Sequence, residues 1–140
     1  MTPILLDTSC YIAFLRGDPQ VADLLRKAPK ILIPTITLGE LMTGFYLLDG
    51  LDKHDEPKQL SSTSEIAHLH KFMDTPRVHL VEVTYRTSEH MGFIAAELKH
   101  AGTPIPTNDL WIAALAKEHG CPVATLDNHF RVVPGLQVVP

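Results

Sequence analysis

Cysteine is nearly absent: Cys10 and Cys121 are the only two in 140 residues. Two such distant cysteines make no disulfide framework, and a reducing cytosol is the expected compartment. No apolar run approaches the ~20 residues that span a bilayer, so no membrane segment is expected. The opening Met1-Thr2-Pro3, with Asp7 close behind, lacks the basic and apolar regions of a signal peptide. A basic surplus is missing too. Lys and Arg number 12 against 16 Asp and Glu, a formal net charge of −4 that lends no support to nucleic-acid binding. Glycine-rich phosphate loops of both common types are lacking, and Ser9 stands in no G-x-S-x-G elbow. Cys10 has no paired base in sequence, which leaves it as packing and not a nucleophile. There is no internal repeat and no low-complexity tract.

What is present suits one globular domain over residues 1–140. Apolar residues make up 45% of the chain and charged residues 20%, with mean hydropathy near zero, enough for a core of its own. Ile4 to Leu6, Ile31 to Ile33 and Val123 to Leu126 are short apolar runs without alternation. Such runs mark strands covered on both faces, as in parallel sheets. Val78 to Val83 alternates and reads as a less fully buried strand. Gln137 to Val139 adds a short edge strand after the Pro134-Gly135 turn.

Helical patterns lie between these runs. Thr8 to Leu15 ends at Gly17, and Pro19 to Lys27 opens on a first-turn proline. Leu38, Leu41, Phe45 and Leu48 give an amphipathic helix from Thr37 to about Leu48. Ser62 and Glu65 have capping-box spacing ahead of Ile66, Leu69, Phe72 and Met73. Met91, Ile94 and Leu98 mark a helix ended by Gly102. Asn108 to His119 is apolar nearly all round, which predicts a centrally buried helix. The charged stretch from Asp49 to Ser61 reads as a surface loop or the tip of a helical hairpin. This order of elements predicts a three-layer α/β/α sandwich around a central parallel sheet of four or five strands.

Four acids stand where that sheet hands its chain to helices: Asp7, Glu40, Asp109 and Asp127. Loops at the carboxyl ends of strands are where open α/β sheets place ligand sites. Each acid also has a plain structural reading. Asp7 is a good helix N-cap, and Glu40 is a capping-box partner for Thr37. Asp109 opposes the dipole of the helix it opens, and Asp127 fits an Asx-turn. What favours a site is that all four occupy one edge. Carboxylates that converge repel one another and raise each other's pKa unless a cation lies between them. Mg²⁺ takes oxygen ligands and is commonly held by a few carboxylates plus a substrate phosphate. Sixteen acids less these four leaves twelve, which balances the twelve Lys and Arg. The negative surplus can therefore sit in one pocket, where two divalent cations would cancel it.

The remaining candidates are weaker. His68 and His70 lie two apart, so they point about 200° away from each other on a helix and share no local metal. His54, His79, His90, His100, His119 and His129 are scattered, and surface positions are expected for all. Tyr11 and Trp111 read as core or dimer-interface residues before base-stacking platforms. Arg16, Lys30, Arg86, Lys99 and Arg131 are the cations available to steer a phosphate chain.

Asp7-Thr8-Ser9 after a short strand, Thr37-Leu38-Gly39-Glu40-Leu41, Pro106 to Ala114 and Thr125-Leu126-Asp127-Asn128-His129-Phe130 resemble PIN-domain ribonucleases. The resemblance is to VapC-type toxins of bacterial toxin–antitoxin pairs, and it runs nearly end to end, through Val133-Pro134-Gly135-Leu136. It implies a PIN-like fold and Mg²⁺- or Mn²⁺-dependent endoribonuclease activity in the cytoplasm. It also implies a homodimer, and inhibition by a small antitoxin that inserts a segment into the active-site groove. Carried over by position, Asp7, Glu40 and Asp109 are the core metal-site acids and Asp127 is the fourth. Thr8, Ser9 and Thr125 supply hydroxyls that position acids or water.

Two other functions compete. A small metal-dependent phosphohydrolase also places Asp after the first strand, but the Asp-x-Asp pattern of one large phosphatase group is broken here by Ser9. A non-catalytic interaction module would need the acids only as caps, against which the intact set of four argues.

Overall fold

The structure is a computed structural model that describes residues 2–48 and 59–140. Its elements are β1 (Ile4–Leu6), α1 (Thr8–Leu15), α2 (Pro19–Lys27), β2 (Ile31–Pro34), α3 (Thr35–Leu48), α4 (Gln59–Met73), β3 (Val78–Val81), α5 (Tyr85–Ala101), α6 (Thr107–His119), β4 (Val123–Ala124), a 3₁₀ turn (Asn128–Val132) and β5 (Val138–Val139). The five strands form one parallel sheet in the order β3-β2-β1-β4-β5. Leu5 of β1 stands opposite Leu32 on one side and Val123 on the other.

The unalternated runs exist because each face of the sheet is roofed. Ile4, Leu6, Ile31 and Ile33 pack with Tyr11, Val21, Leu25, Leu41, Phe45 and Leu69 from α1 to α4. Leu5, Leu32 and Val123 point the other way, against Ile94 and Leu98 of α5 and Ile112 and Leu115 of α6. Alternate residues of one strand thus feed two separate cores, which gives the α/β/α sandwich. Burying one such Leu or Ile stabilises the fold by ~1.5–3 kcal/mol. The central burial expected for the last long helix is observed, since Ile112 to Ala116 are all at most 1% exposed.

Local signals set the helix ends. The Asp18 side chain caps α2, accepting from the Gln20 and Val21 amides at 2.9 and 3.1 Å ahead of the first-turn Pro19. Gly102 and Gly120 end α5 and α6 with φ of +73° and +62°, a left-handed conformation that suits glycine.

Several boundaries differ from the sequence reading. α3 starts at Thr35, so Thr37 lies inside it, and its buried hydroxyl donates to the Leu6 carbonyl at 3.0 Å. α4 starts at Gln59, which puts Ser62 within the helix and not at its cap. Residues 49–58 of the expected surface loop lie outside the described residues, while Gln59 to Ser61 are helical. α5 begins at Tyr85, six residues before Met91, because Thr84 and Thr87 anchor its start: the Thr84 amide donates to the Thr87 hydroxyl at 3.0 Å. β3 is shorter than expected and does not alternate; Val78 and Val81 are buried while Leu80 is 44% exposed. As an edge strand, it is roofed only in part. Among the described residues no helix is long and apolar enough to cross a membrane.

Candidate active site

The chain leaves β1 for β2 and β3 on one side and returns on the other side through α5 and α6 to β4. The carboxyl ends of β1 and β4 therefore flank the point where strand order reverses, the usual ligand crevice of an open α/β sheet. Asp7 follows β1, and Thr125 and Asp127 follow β4. Glu40 enters from α3, and Asp109 from the first turn of α6.

Asp7 occupies the N-cap position of α1, but its carboxylate makes no cap hydrogen bond. Only 5% exposed, it instead accepts from the hydroxyls of Thr125 at 2.7 Å and Ser9 at 3.0 Å. Ser9 and Thr125 lie 3.1 Å apart, and their oxygens also receive the amides of Leu126 and Asp127. This network fixes one oxygen of Asp7 and knits the ends of β1 and β4 together. Glu40 is no capping-box partner for Thr37; its Oε1 accepts from the Thr8 hydroxyl at 3.2 Å. Asp109 is almost buried and spends its Oδ2 on His129 Nδ1 at 2.8 Å, not on an amide of its own helix. Asp127 does form the Asx-turn, accepting from the His129 amide at 2.9 Å, and its Oδ1 lies 3.2 Å from His129 Nδ1.

Electrostatics link the four acids. Burial raises the Glu40 carboxyl above its ordinary range; the charges of Asp7 and Asp109 add to this, and hydrogen bonds from Thr8 and Asn108 oppose it. Burial also raises Asp109, with the charges of Asp7 and Asp127 adding and the His129 hydrogen bond opposing. Each acid is thus within electrostatic reach of at least one other. The tightest group of metal-capable donors among the described residues is Asp109, Asp127 and His129, with ligand atoms all within 4.8 Å of one another. Asp7 and Glu40 stand outside that trio and are linked to it through the charge effects on Glu40 and Asp109.

Anionic oxygens crowded into a partly desolvated edge fit a hard divalent cation, which takes carboxylate ligands and cancels their repulsion. Asp109→Asn is accordingly expected to raise thermal stability slightly in metal-free buffer, by ~2–4 °C if ~1 kcal/mol of repulsion is relieved. Thermal melts in chelator check this; a clear loss of stability would assign Asp109 to the helix dipole instead.

His129 is the site residue that sequence reasoning placed at the surface. It is half-exposed, but its Nδ1 faces two of the four acids. The hydrogen bond to Asp109 raises its pKa, aided by the charges of Asp127, Asp109 and Asp7. Position 129 lies two residues from Asp127, a local clue, whereas its approach to Asp109 appears only in the fold. Both thiols are unfit as nucleophiles. Cys10 is raised to about 12 by burial and then by the charges of Asp7 and Asp18, and Cys121 to about 11 by burial. Tyr11 is core, 1% exposed and edge-on to Phe72 at 5.1 Å between ring centroids.

The pattern of the PIN domain matches residues 4–136. The chain belongs to the PIN-domain family. Its similarity to individual members is lower but extensive. It is 28% identical over 107 residues to Ribonuclease VapC4 of Mycobacterium tuberculosis, covering 76% of this chain and 74% of that protein. It is 26% identical over 141 residues to the tRNA(fMet)-specific endonuclease VapC of Salmonella typhimurium, covering 99% and 97%. Among solved structures, the DNA-bound VapBC of Salmonella typhimurium superimposes with a TM-score of 0.79 at 25% identity, over 99% of this chain and 98% of that one.

In this PIN domain a groove of about 440 Å³ opens beside the acids, between α1, α3 and α4. Thr8 and Glu40 form its acidic end, and Ile12, Leu15 and Leu48 its apolar wall, with Arg16 and Glu65 also on the lining. Among the described residues, one buried Glu65 oxygen has no hydrogen-bond partner and lies 3.8 Å from His68 Nδ1. Of the sequence-nominated cations, Arg16 lines this groove, and Arg131 sits on the 3₁₀ turn, donating to Asn128 at 3.3 Å. Lys30 precedes β2 and so lies at the opposite edge of the sheet.

Proposed function

We propose that this chain is the toxin of a toxin–antitoxin pair, a Mg²⁺- or Mn²⁺-dependent endoribonuclease working in the cytoplasm. The observation that carries the reading is the acidic edge itself: Asp7, Glu40, Asp109 and Asp127 gathered at the reversal point of the sheet of a PIN domain. Support comes also from the names of the two relatives, one a ribonuclease and one a tRNA-specific endonuclease.

In this reading all four acids are metal ligands and catalytic residues. Asp7, Glu40, Asp109 and Asp127 would hold a divalent cation, which would supply charge neutralisation at the scissile phosphate and activation of the attacking water. Asp7 is aimed by the Ser9 and Thr125 hydroxyls, which leave its second carboxylate oxygen for the site. Thr8 performs the same service for Glu40. Partial burial keeps bulk water from screening these charges, so a phosphate backbone is drawn in only when cations accompany it. Arg16 and Arg131 are the rim cations that hold the strand.

Incubating the purified protein with a pool of cellular RNA is expected to give Mg²⁺- or Mn²⁺-dependent cleavage that chelator stops. Hydrolysis of p-nitrophenyl phosphate with intact RNA would favour the phosphohydrolase instead.

A homodimer and a small antitoxin complete the assembly. The partner is motivated by relatives solved as VapBC assemblies at 25% identity. We place the inhibitory segment in the groove between α1, α3 and α4, its apolar side chains on Ile12, Leu15 and Leu48 and a basic one toward Glu40. Leu15→Glu is expected to weaken antitoxin binding by at least ~10-fold, since burying an unpaired carboxylate against apolar contacts is costly. Titration calorimetry with the cognate antitoxin measures this; unchanged affinity would place the partner elsewhere.

A further inference from the structure

The acids of the candidate site are all oxygen donors, but one nitrogen shares their space. His129 Nδ1 lies 2.8 Å from Asp109 Oδ2 and 3.2 Å from Asp127 Oδ1. We propose that His129 is a metal ligand, and that Asp109, Asp127 and His129 together form a mixed oxygen–nitrogen site that selects Mn²⁺ over Mg²⁺. This rests on reading the acidic edge as a metal site, and it names which ion that site prefers.

Three observations carry it. The first is spacing. Neighbouring donors around an octahedral ion with ligand distances of ~2.1 Å stand ~3 Å apart, and the two separations at His129 bracket that value. The second is how the imidazole is held. Its own amide donates to Asp127 Oδ1 at 2.9 Å, and the next residue, Phe130, is fully buried. The ring therefore hangs from an anchored turn with Nδ1 turned to the acids and the ring half in solvent. The third is donor chemistry. Mn²⁺ is the weakest binder of the first-row transition ions, yet it takes an imidazole more readily than Mg²⁺, which prefers oxygen and retains its waters. An all-carboxylate site would have little reason to discriminate; a site with one nitrogen does.

The test uses the whole purified chain loaded with Mn²⁺. Pulsed electron paramagnetic resonance is expected to show nitrogen hyperfine coupling that changes when histidine is labelled with ¹⁵N and disappears in His129→Asn. Competition titrations are expected to show His129→Asn losing Mn²⁺ affinity by ~10–100-fold while Mg²⁺ affinity stays nearly unchanged. The spectrum of the unmutated protein needs no variant, so misfolding of His129→Asn cannot blur the answer. Bound Mn²⁺ with no nitrogen coupling overturns the proposal and leaves the nuclease reading standing. So does an equal loss of both ions in His129→Asn, the result of a residue that only orients its acidic neighbours. If the unmutated chain binds neither ion, the proposal and the metal-site reading fail together.

Discussion

Replacing Asp7 by Asn is expected to lower RNA cleavage by at least ~100-fold while leaving the protein folded. Removing groups that merely support metal ligands lowers metal affinity or activity by ~10–100-fold, so loss of a ligand charge should do no less. Asn keeps the shape and one acceptor oxygen. The hydroxyls of Ser9 and Thr125 that now donate to Asp7 can rotate to accept from an amide instead. The hydrogen-bond network is thereby retained, and the change in stability should stay within ~1 kcal/mol. Cleavage rates on RNA, paired with thermal melts, separate the two effects. Cleavage at the parent's rate would return Asp7 to a structural role at the junction of β1 and β4.

Divalent metal should stabilise the fold strongly, and more at neutral than at acid pH. An ion at 100 times its dissociation constant contributes about 2.7 kcal/mol, or roughly 10 °C in melting temperature for a chain of this size. The sign of the pH dependence follows from the raised carboxyls of Glu40 and Asp109. Above the ordinary carboxylate range the folded metal-free protein binds more protons at these groups than the unfolded chain does. Their contribution to stability therefore falls as pH rises through the raised values. His129, also raised, acts in the same direction: its contribution is present below the ordinary histidine pKa and is lost above the folded one. Metal replaces what those protons supplied. The gain in melting temperature on adding Mn²⁺ should accordingly be larger near about pH 7 than near about pH 4, where carboxyl protons compete with the ion. A melting temperature indifferent to metal at both pH values would count against a cation among these acids.

The sheet was legible because its central strands are buried twice. Ile4-Leu5-Leu6 and Ile31-Leu32-Ile33 show no polar alternation, and each splits its side chains between two cores. β3 misled because it lies at an edge: Val78 and Val81 are roofed on opposite faces while His79 and Leu80 between them are not. The start of α5 escaped notice since Tyr85 to His90 carries little apolar periodicity, and its anchor is a pair of threonine hydroxyls. The four acids could be nominated from strand ends alone, but their surroundings could not. Local spacing offered Thr37 to Glu40, whereas the fold gave it Thr8, 32 residues away. It likewise brought Thr125 to Asp7 across 118 residues and His129 to Asp109 across 20. Contacts of that range depend on how β1, β4 and α6 pack, and one sequence does not encode them in any local pattern.

Soaking crystals of the whole protein in Mn²⁺ and recording anomalous scattering tests the central claim most directly. An anomalous peak bounded by Asp7, Glu40, Asp109 and Asp127, and absent from crystals of the Asp7→Asn variant, is the expected result. Manganese bound only at other surfaces, with these carboxylates turned away from one another, would contradict it.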